Sequence, residues 1–180
     1  MTEAAMNKEI INIGVVSDSH GNLEDLRKAV DALAAMGASV IFHLGDYVED
    51  AMEIRHWVGI PLFSLQGNMD FGNEDGVPFV KTLLSGKTVI ACHGHKFGVK
   101  GDLGRLYYKA REEKADIVLY GHTHVPRIDE TGGILMMNPG ALAYSRYSTG
   151  ATYGMVTIGA DGKVSGEIYP VTPKNKKNKR

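Results

Sequence analysis

The sequence predicts an α/β protein built as a two-sheet β-sandwich flanked by helices, four layers in the order α/β/β/α. Up to Val77, apolar strand runs alternate with helical stretches, the pattern of a mostly parallel sheet. From Val77 onward, strand runs come in pairs separated by turn residues, which suggests a second sheet packed on the first. No repeat, linker or composition break divides the chain. Its 180 residues fit one domain, 1–173, with a sizeable core and a short tail at 174–180.

The elements follow in order. Residues 10–16 form an apolar strand. Asn22 can cap the next helix, with Glu24 and Asp25 in its first turn favouring the dipole. Leu23, Leu26, Val30 and Leu33 recur on one face, and Gly37 stops the helix. A second strand spans 40–44, a helix 49–58 and a short third strand 62–65. Strands at 79–84 and 87–92 flank Ser85-Gly86, a hairpin signal. A helix covers 102–113 and a strand 117–120. Strands at 125–128 and 134–137 flank Thr131-Gly132-Gly133, and strands at 152–158 and 163–169 flank Ala160-Asp161-Gly162. Met136 and Met137 read as core, Trp57 as packing, and Tyr107 and Tyr108 as helix-face packing.

Apolar residues make up 43% and charged residues 23%, ordinary values for a soluble globular protein. The single Cys92 rules out an internal disulfide, fits a reducing compartment and reads as a small buried residue. Residues 1–9 are polar and lack the apolar stretch of a signal peptide, and no run is long enough to span a bilayer. A soluble cytoplasmic protein without a membrane partner is expected. Net charge is −1, but the tail Lys174-Asn175-Lys176-Lys177-Asn178-Lys179-Arg180 holds five basic residues. Without it, 15 basic residues face 21 acidic ones. Such an acidic body argues against a broad nucleic-acid surface. The tail reads as a disordered solvated end, and a homo-oligomer stays open.

Five polar clusters carry the chemistry: Asp18-Ser19-His20, Gly45-Asp46, Gly67-Asn68, His93-Gly94-His95 and Gly121-His122-Thr123-His124. Each follows a strand run. In an open α/β sheet, groups beyond the carboxyl ends of strands converge at one edge. Asp18 and His20 are two apart, as are His93 and His95, and His122 and His124. In extended backbone each pair points to one side, and in a curved loop each could serve neighbouring metals. Carboxylates, imidazoles and one amide suit two divalent transition metals, with Mn²⁺ leading and Ni²⁺, Zn²⁺, Fe²⁺ or Co²⁺ as alternatives. The absence of Cys pairs argues against a structural zinc site. Two carboxylates and a hydroxide leave two such ions slightly positive, which points to phosphoryl chemistry rather than metal storage.

On these ordered clusters the chain resembles the calcineurin-like metallophosphoesterases, from residue 10 to about 169. Its length and its Gly67-Asn68-Met69-Asp70 form look like the small YfcE-type phosphodiesterase subgroup, related to the metal-poor retromer subunit. The resemblance implies the two-sheet sandwich already expected. It also implies that Asp18, His20 and His124 bind the first metal, that Asp46 bridges both, and that Asn68, His93 and His122 complete the second. It implies a small-molecule phosphodiester substrate, nucleotide-like among others. A water or hydroxide between the metals would attack it in line, with Asp46, Asn68 and His93 facing the phosphate.

One position departs from the family pattern. Many members carry His after the Asn of the third cluster, where it contacts the phosphate or protonates the leaving group. Here it is Met69, which can do neither. General acid catalysis is worth roughly 10²–10⁴-fold, so substrates with good leaving groups, or a substitute acid, are expected. Asp70 and His95 are the substitutes, against a loop-bracing carboxylate and a histidine supporting the ligands from behind. His43 reads as a packed histidine and His56 as surface or helix packing. Asn138 reads equally as orienting a ligand and as part of a plain turn at Asn138-Pro139-Gly140. Arg146 is read as a surface Arg before a phosphate contact. Two other functions are weighed. An interaction module of the retromer-like branch is motivated by Met69 and opposed by a ligand set without a gap. A nuclease is opposed by the acidic body.

Overall fold

The computed structural model describes residues 9–73, 75–143 and 150–171. Arg146, the tail 174–180 and all but Glu9 of the polar stretch 1–9 lie outside them. The chain runs β1 (Ile11–Val16), α1 (Leu23–Ala35), β2 (Val40–His43), α2 (Val48–Trp57), β3 (Leu62–Ser64), β4 (Phe79–Leu84), β5 (Lys87–Cys92), a 3₁₀ turn His95–Phe97, and α3 (Gly104–Glu112). It continues with β6 (Ile117–Tyr120), β7 (Arg127–Thr131), β8 (Ile134–Asn138), β9 (Thr152–Ile158) and β10 (Val164–Pro170).

These strands form two five-stranded sheets, ordered β10-β9-β1-β2-β3 and β4-β5-β6-β8-β7. In the first, β1 pairs parallel with β2, and β2 with β3. In the second, β5, β6 and β8 run parallel, with β4 and β7 antiparallel at the edges. One assignment differs from the sequence expectation. The last hairpin does not extend the second sheet. It crosses back, and β9 pairs antiparallel with β1, Ile13 opposite Val156. The reason is burial: all but one residue of β9 is buried, so its face needs a neighbour strand as well as a covering layer.

Strand alternation divides the core. Ile13, Val15, Val40 and Phe42 point between the sheets, against Val89, Ala91, Ile117 and Leu119. Val16 and Ile41 point the other way, onto Leu26, Ala29, Val30 and Leu33 of α1 and Ile54 of α2. Leu106 and Ala110 of α3 join the sandwich core from the far side. α1 is held at its start by Asn22, whose side chain accepts from the Asp25 N–H. Met136 and Met137 are buried core residues, and Cys92 is buried with its thiol pushed up to about 12 by burial. Tyr107 packs on the core, but Tyr108 is 74% exposed, a departure from the packing expected of both. Helix periodicity turns adjacent residues about 100° apart, so one face cannot bury both. His56 is exposed, and the Arg27 guanidinium lies over Trp57, 5.2 Å from the ring centroid. No helix among the described residues is long and apolar enough to cross a membrane.

Candidate metal centre

The parallel strands deliver the polar clusters. β1, β2, β3, β5 and β6 each end just before one of them, so all five loops meet at the carboxyl edge of the sandwich. The loops brace one another through backbone bonds. The Asp18 N–H donates to Gly45 O, and the Gly121 N–H to His93 O. Their tight turns show in the backbone. Asp18, His20, Asp46, Tyr47, His122 and His124 all have φ between 44° and 78°. Only two other non-glycine residues among those described do so. Left-handed backbone costs a non-glycine residue of order 1–3 kcal/mol and gathers at functional sites. Glycine permits the close approach: a Cβ on Gly67 would fall on Asp46 Oδ1, and one on Gly121 on Ser17 Oγ.

Two groups of donor atoms result. Asp18, His20, Asp46 and His124 offer atoms all within 4.8 Å of one another, and so do Asp46, His93 and His122. The spacings are narrow. His20 Nε2 is 3.4 Å from His124 Nε2 and 3.6 Å from Asp46 Oδ2. His93 Nε2 is 3.1 Å from His122 Nδ1, 3.2 Å from Asn68 Oδ1 and 3.5 Å from Asp46 Oδ2. Donor atoms each about 2.1 Å from one ion sit roughly 3.0–3.4 Å apart; three of these spacings fall in that range, and the two to Asp46 Oδ2 lie 0.1–0.2 Å beyond it. Asp46 Oδ2 borders both groups. Asp18 Oδ1 is fully buried and, although 3.1 Å from His124 Nε2, accepts no well-directed hydrogen bond. A buried carboxylate oxygen left this way fits a cation.

Protonation agrees with that fit. Burial alone would raise the Asp18 carboxyl, but His124, His93 and the Ser17 hydroxyl together hold it below the usual carboxylate value. Burial, then His93, pushes the His122 imidazole down to about 4, leaving the neutral form that ligates metals. The Asp18 partner raises His124. His93 Nδ1 lies 2.9 Å from the Leu44 carbonyl, so Nδ1–H donates there and Nε2 faces the centre.

Curvature decides the pairs that were open in sequence. Asp18 and His20 serve one group, whereas His122 and His124 divide between the two. His95 joins neither group. Its ring lies 5.3 Å from that of His93 and 6.1 Å from that of His122, with Nδ1 buried and unpartnered. Asp70 also joins neither group. Its Oδ1 accepts the N–H groups of Tyr47 and Val48, and its Oδ2 accepts that of Gly67. With these three bonds the Asp70 carboxylate braces the loops and caps α2, the alternative set against its role as substitute acid. His43 is buried, its Nε2 3.0 Å from Ser19 Oγ, which donates to Asp50 Oδ2 at 2.7 Å. Asp50 also accepts the Gly21 N–H, so this chain ties the first loop to α2. Asn138 donates to Gly121 O and Thr123 Oγ1, holding the last histidine loop. Sequence reasoning passed over Asp50 and Tyr47. Nothing in a helix-start Asp or a loop Tyr marks those roles.

The model of the calcineurin-like phosphoesterase superfamily domain matches residues 11–161. The chain belongs to this superfamily. It is 32% identical over 151 residues to the "Probable metallophosphoesterase YsnB" of Bacillus subtilis, covering 84% of this chain and 86% of that protein. It is 27% identical over 165 residues to the phosphodiesterase YfcE of Escherichia coli K12, covering 78% and 84%. A conserved protein of Streptococcus pneumoniae, solved by crystallography, superposes with a TM-score of 0.73 at 28% identity, over 89% of this chain and 98% of that one. Vps29 of Entamoeba histolytica in complex with zinc superposes at 0.69 and 19% identity, over 90% and 100%, a likeness of fold alone.

Proposed function

We propose that the protein is a dinuclear metal-dependent phosphodiesterase for small phosphodiesters. The observation that carries this is Asp46 Oδ2, placed 3.6 Å from His20 Nε2 and 3.5 Å from His93 Nε2, in reach of both donor groups. In this reading Asp18, His20 and His124 would hold one ion, Asn68, His93 and His122 the other, and Asp46 would be shared by both. Bound divalent ions, Mn²⁺ foremost, activate water and stabilise charge on the phosphoryl oxygens. The protein's own part is positional. Asn68 Oδ1 and His93 Nε2, 3.2 Å apart, would hold the second ion on the side that meets the phosphate, and the Met69 N–H holds Asp46 in register through Oδ1 at 3.0 Å. His95 stands beside His93 and His122. Burial, with His93 and Lys96 adding to it, keeps its imidazole low and neutral, which suits orienting a substrate oxygen more than protonating one. With Met69 in the third loop, diesters with good leaving groups are the preferred substrates. The family membership of YfcE supports a diester substrate, and the lone buried Cys92 suits a reducing, cytoplasmic setting.

Met69, at a position where many family members carry His, motivates a second reading, an interaction module on the same fold. One experiment separates the two. Metal-stripped protein is assayed on bis-p-nitrophenyl phosphate and p-nitrophenyl phosphate with Mn²⁺, Ni²⁺, Zn²⁺ or Mg²⁺ restored singly. Metal-restored turnover favouring the diester is expected, and Asp46→Asn should lose more than nine-tenths of it. No turnover despite two bound equivalents of metal would favour the interaction module.

A further inference from the structure

Beside the metal centre lies a feature that the donor groups do not account for. Tyr47, Met69 and Phe71 line a cavity of about 440 Å³ together with Glu49, Asp70 and Asn73. Phe71 is 102% exposed, Met69 57% and Tyr47 37%. Three large apolar side chains standing in water around one hollow mark a binding surface rather than chance exposure.

The hollow adjoins the proposed site. Tyr47 directly follows Asp46, and its ring meets the His20 ring edge-on, 5.4 Å between centroids and 66° between planes. Met69 directly follows Asn68 and its N–H holds Asp46. The Tyr47 backbone has φ 78°, a costly conformation for an aromatic residue, and two N–H bonds to Asp70 Oδ1 hold this turn. A phosphate anchored between Asp46 and Asn68 would therefore extend one substituent over Tyr47 and Met69.

We infer that Tyr47, Met69 and Phe71 form a subsite for a planar aromatic substituent of the phosphodiester, an aryl ring or a nucleobase. The inference rests on the metal-centre reading above and deepens it. The chemistry of the wall selects the ligand. Aromatic rings and a polarisable thioether bind flat π faces, independent of base identity. At the rim, the Glu49 carboxylate accepts from Asn73 Nδ2 at 2.9 Å and offers a further acceptor to ring-edge N–H groups. The volume suits a single small ligand group.

The test measures binding to Mn²⁺-loaded protein by calorimetry, with methylphosphonate, phenylphosphonate and adenosine 5′-monophosphate. Methylphosphonate reports the anion anchor alone. Phenylphosphonate adds a ring close to phosphorus, and the nucleotide adds one at ribose distance. At least one ring-bearing ligand should bind about tenfold more tightly than methylphosphonate, within the range of base–aromatic stacking. The preferred ligand tells aryl from nucleoside reach. Phe71→Ala and Met69→Ala should each shrink that ratio to below about threefold, and Phe71→Trp should keep it. The exposure of Phe71 means its replacement does not disturb folding. Equal affinities for all three ligands, or an undiminished ratio in Phe71→Ala, overturns the subsite and leaves the metal centre standing. Failure of methylphosphonate itself to bind overturns the metal-centre reading and the subsite with it.

Discussion

Asp18, His20, Asp46, His122 and His124 were legible as polar residues at strand ends, and their types alone suggested metal chemistry. Their positive φ values were not legible, because a ligand's type says nothing of the turn that carries it. Those turns decide that His122 and His124 divide between donor groups while Asp18 and His20 share one. His43 was legible only as a packed histidine; its place under the first loop needed the fold. Burial drives its imidazole from the ordinary 6.5 down to about 4, against partial support from Asp50 and Asp18. The folded state keeps it neutral where the unfolded chain would protonate it. Between pH 6.5 and 4 the unfolded chain binds more protons, so stability falls as pH drops through that window. The stake is on the order of 3 kcal/mol. His43→Gln, which keeps a donor toward Ser19, should flatten the pH dependence of the urea midpoint between pH 6.5 and 4. An equal slope in wild type and variant would mean that other groups carry the acid sensitivity.

Among the elements, β1 to β6 could be read from hydrophobic runs, since each is an apolar stretch bounded by turn residues. The partner of β9 could not, because pairing across 140 residues leaves no local mark, and only burial of both faces selects β1. α2 shows how a loop residue can govern an element. Its N-terminal residue Tyr47 offers no side-chain cap. Asp70 supplies one from across the site, accepting the Tyr47 and Val48 N–H groups with one oxygen and the Gly67 N–H with the other. That joins the loops after β2 and β3. Removing the acceptor strands three donors, two of them at a helix start where the dipole favours a carboxylate. Asp70→Ala should cost about 2–3 kcal/mol of unfolding free energy in urea. The shape of its pH–rate profile should match wild type, because a brace has no proton to give. Loss of an alkaline-side limb from that profile, where a general acid sheds its proton, would return Asp70 to the role of acid.

Across the whole molecule, the two sheets contribute unequally to one centre. The first supplies Asp18, His20, Asp46 and Asn68 from the ends of β1, β2 and β3, and the second supplies His93, His122 and His124 from β5 and β6. Binding ions there would tie the carboxyl edges of both sheets together, and a site shared by both exists only when they are packed. Ions that bind the folded chain stabilise it by mass action, about 2.7 kcal/mol at a hundred times the dissociation constant. For a chain of this size that corresponds to a rise in Tm of roughly 5–10 °C. Adding Mn²⁺ to chelator-treated protein should produce such a rise, and excess chelator should reverse it. Asp46 lies between the two donor groups, so Asp46→Asn should forfeit most of the gain while melting near the metal-free wild type. If Asp46→Asn gained as much from Mn²⁺ as wild type, the ions would bind without the shared carboxylate, and the clamp across the sandwich would have to lie elsewhere.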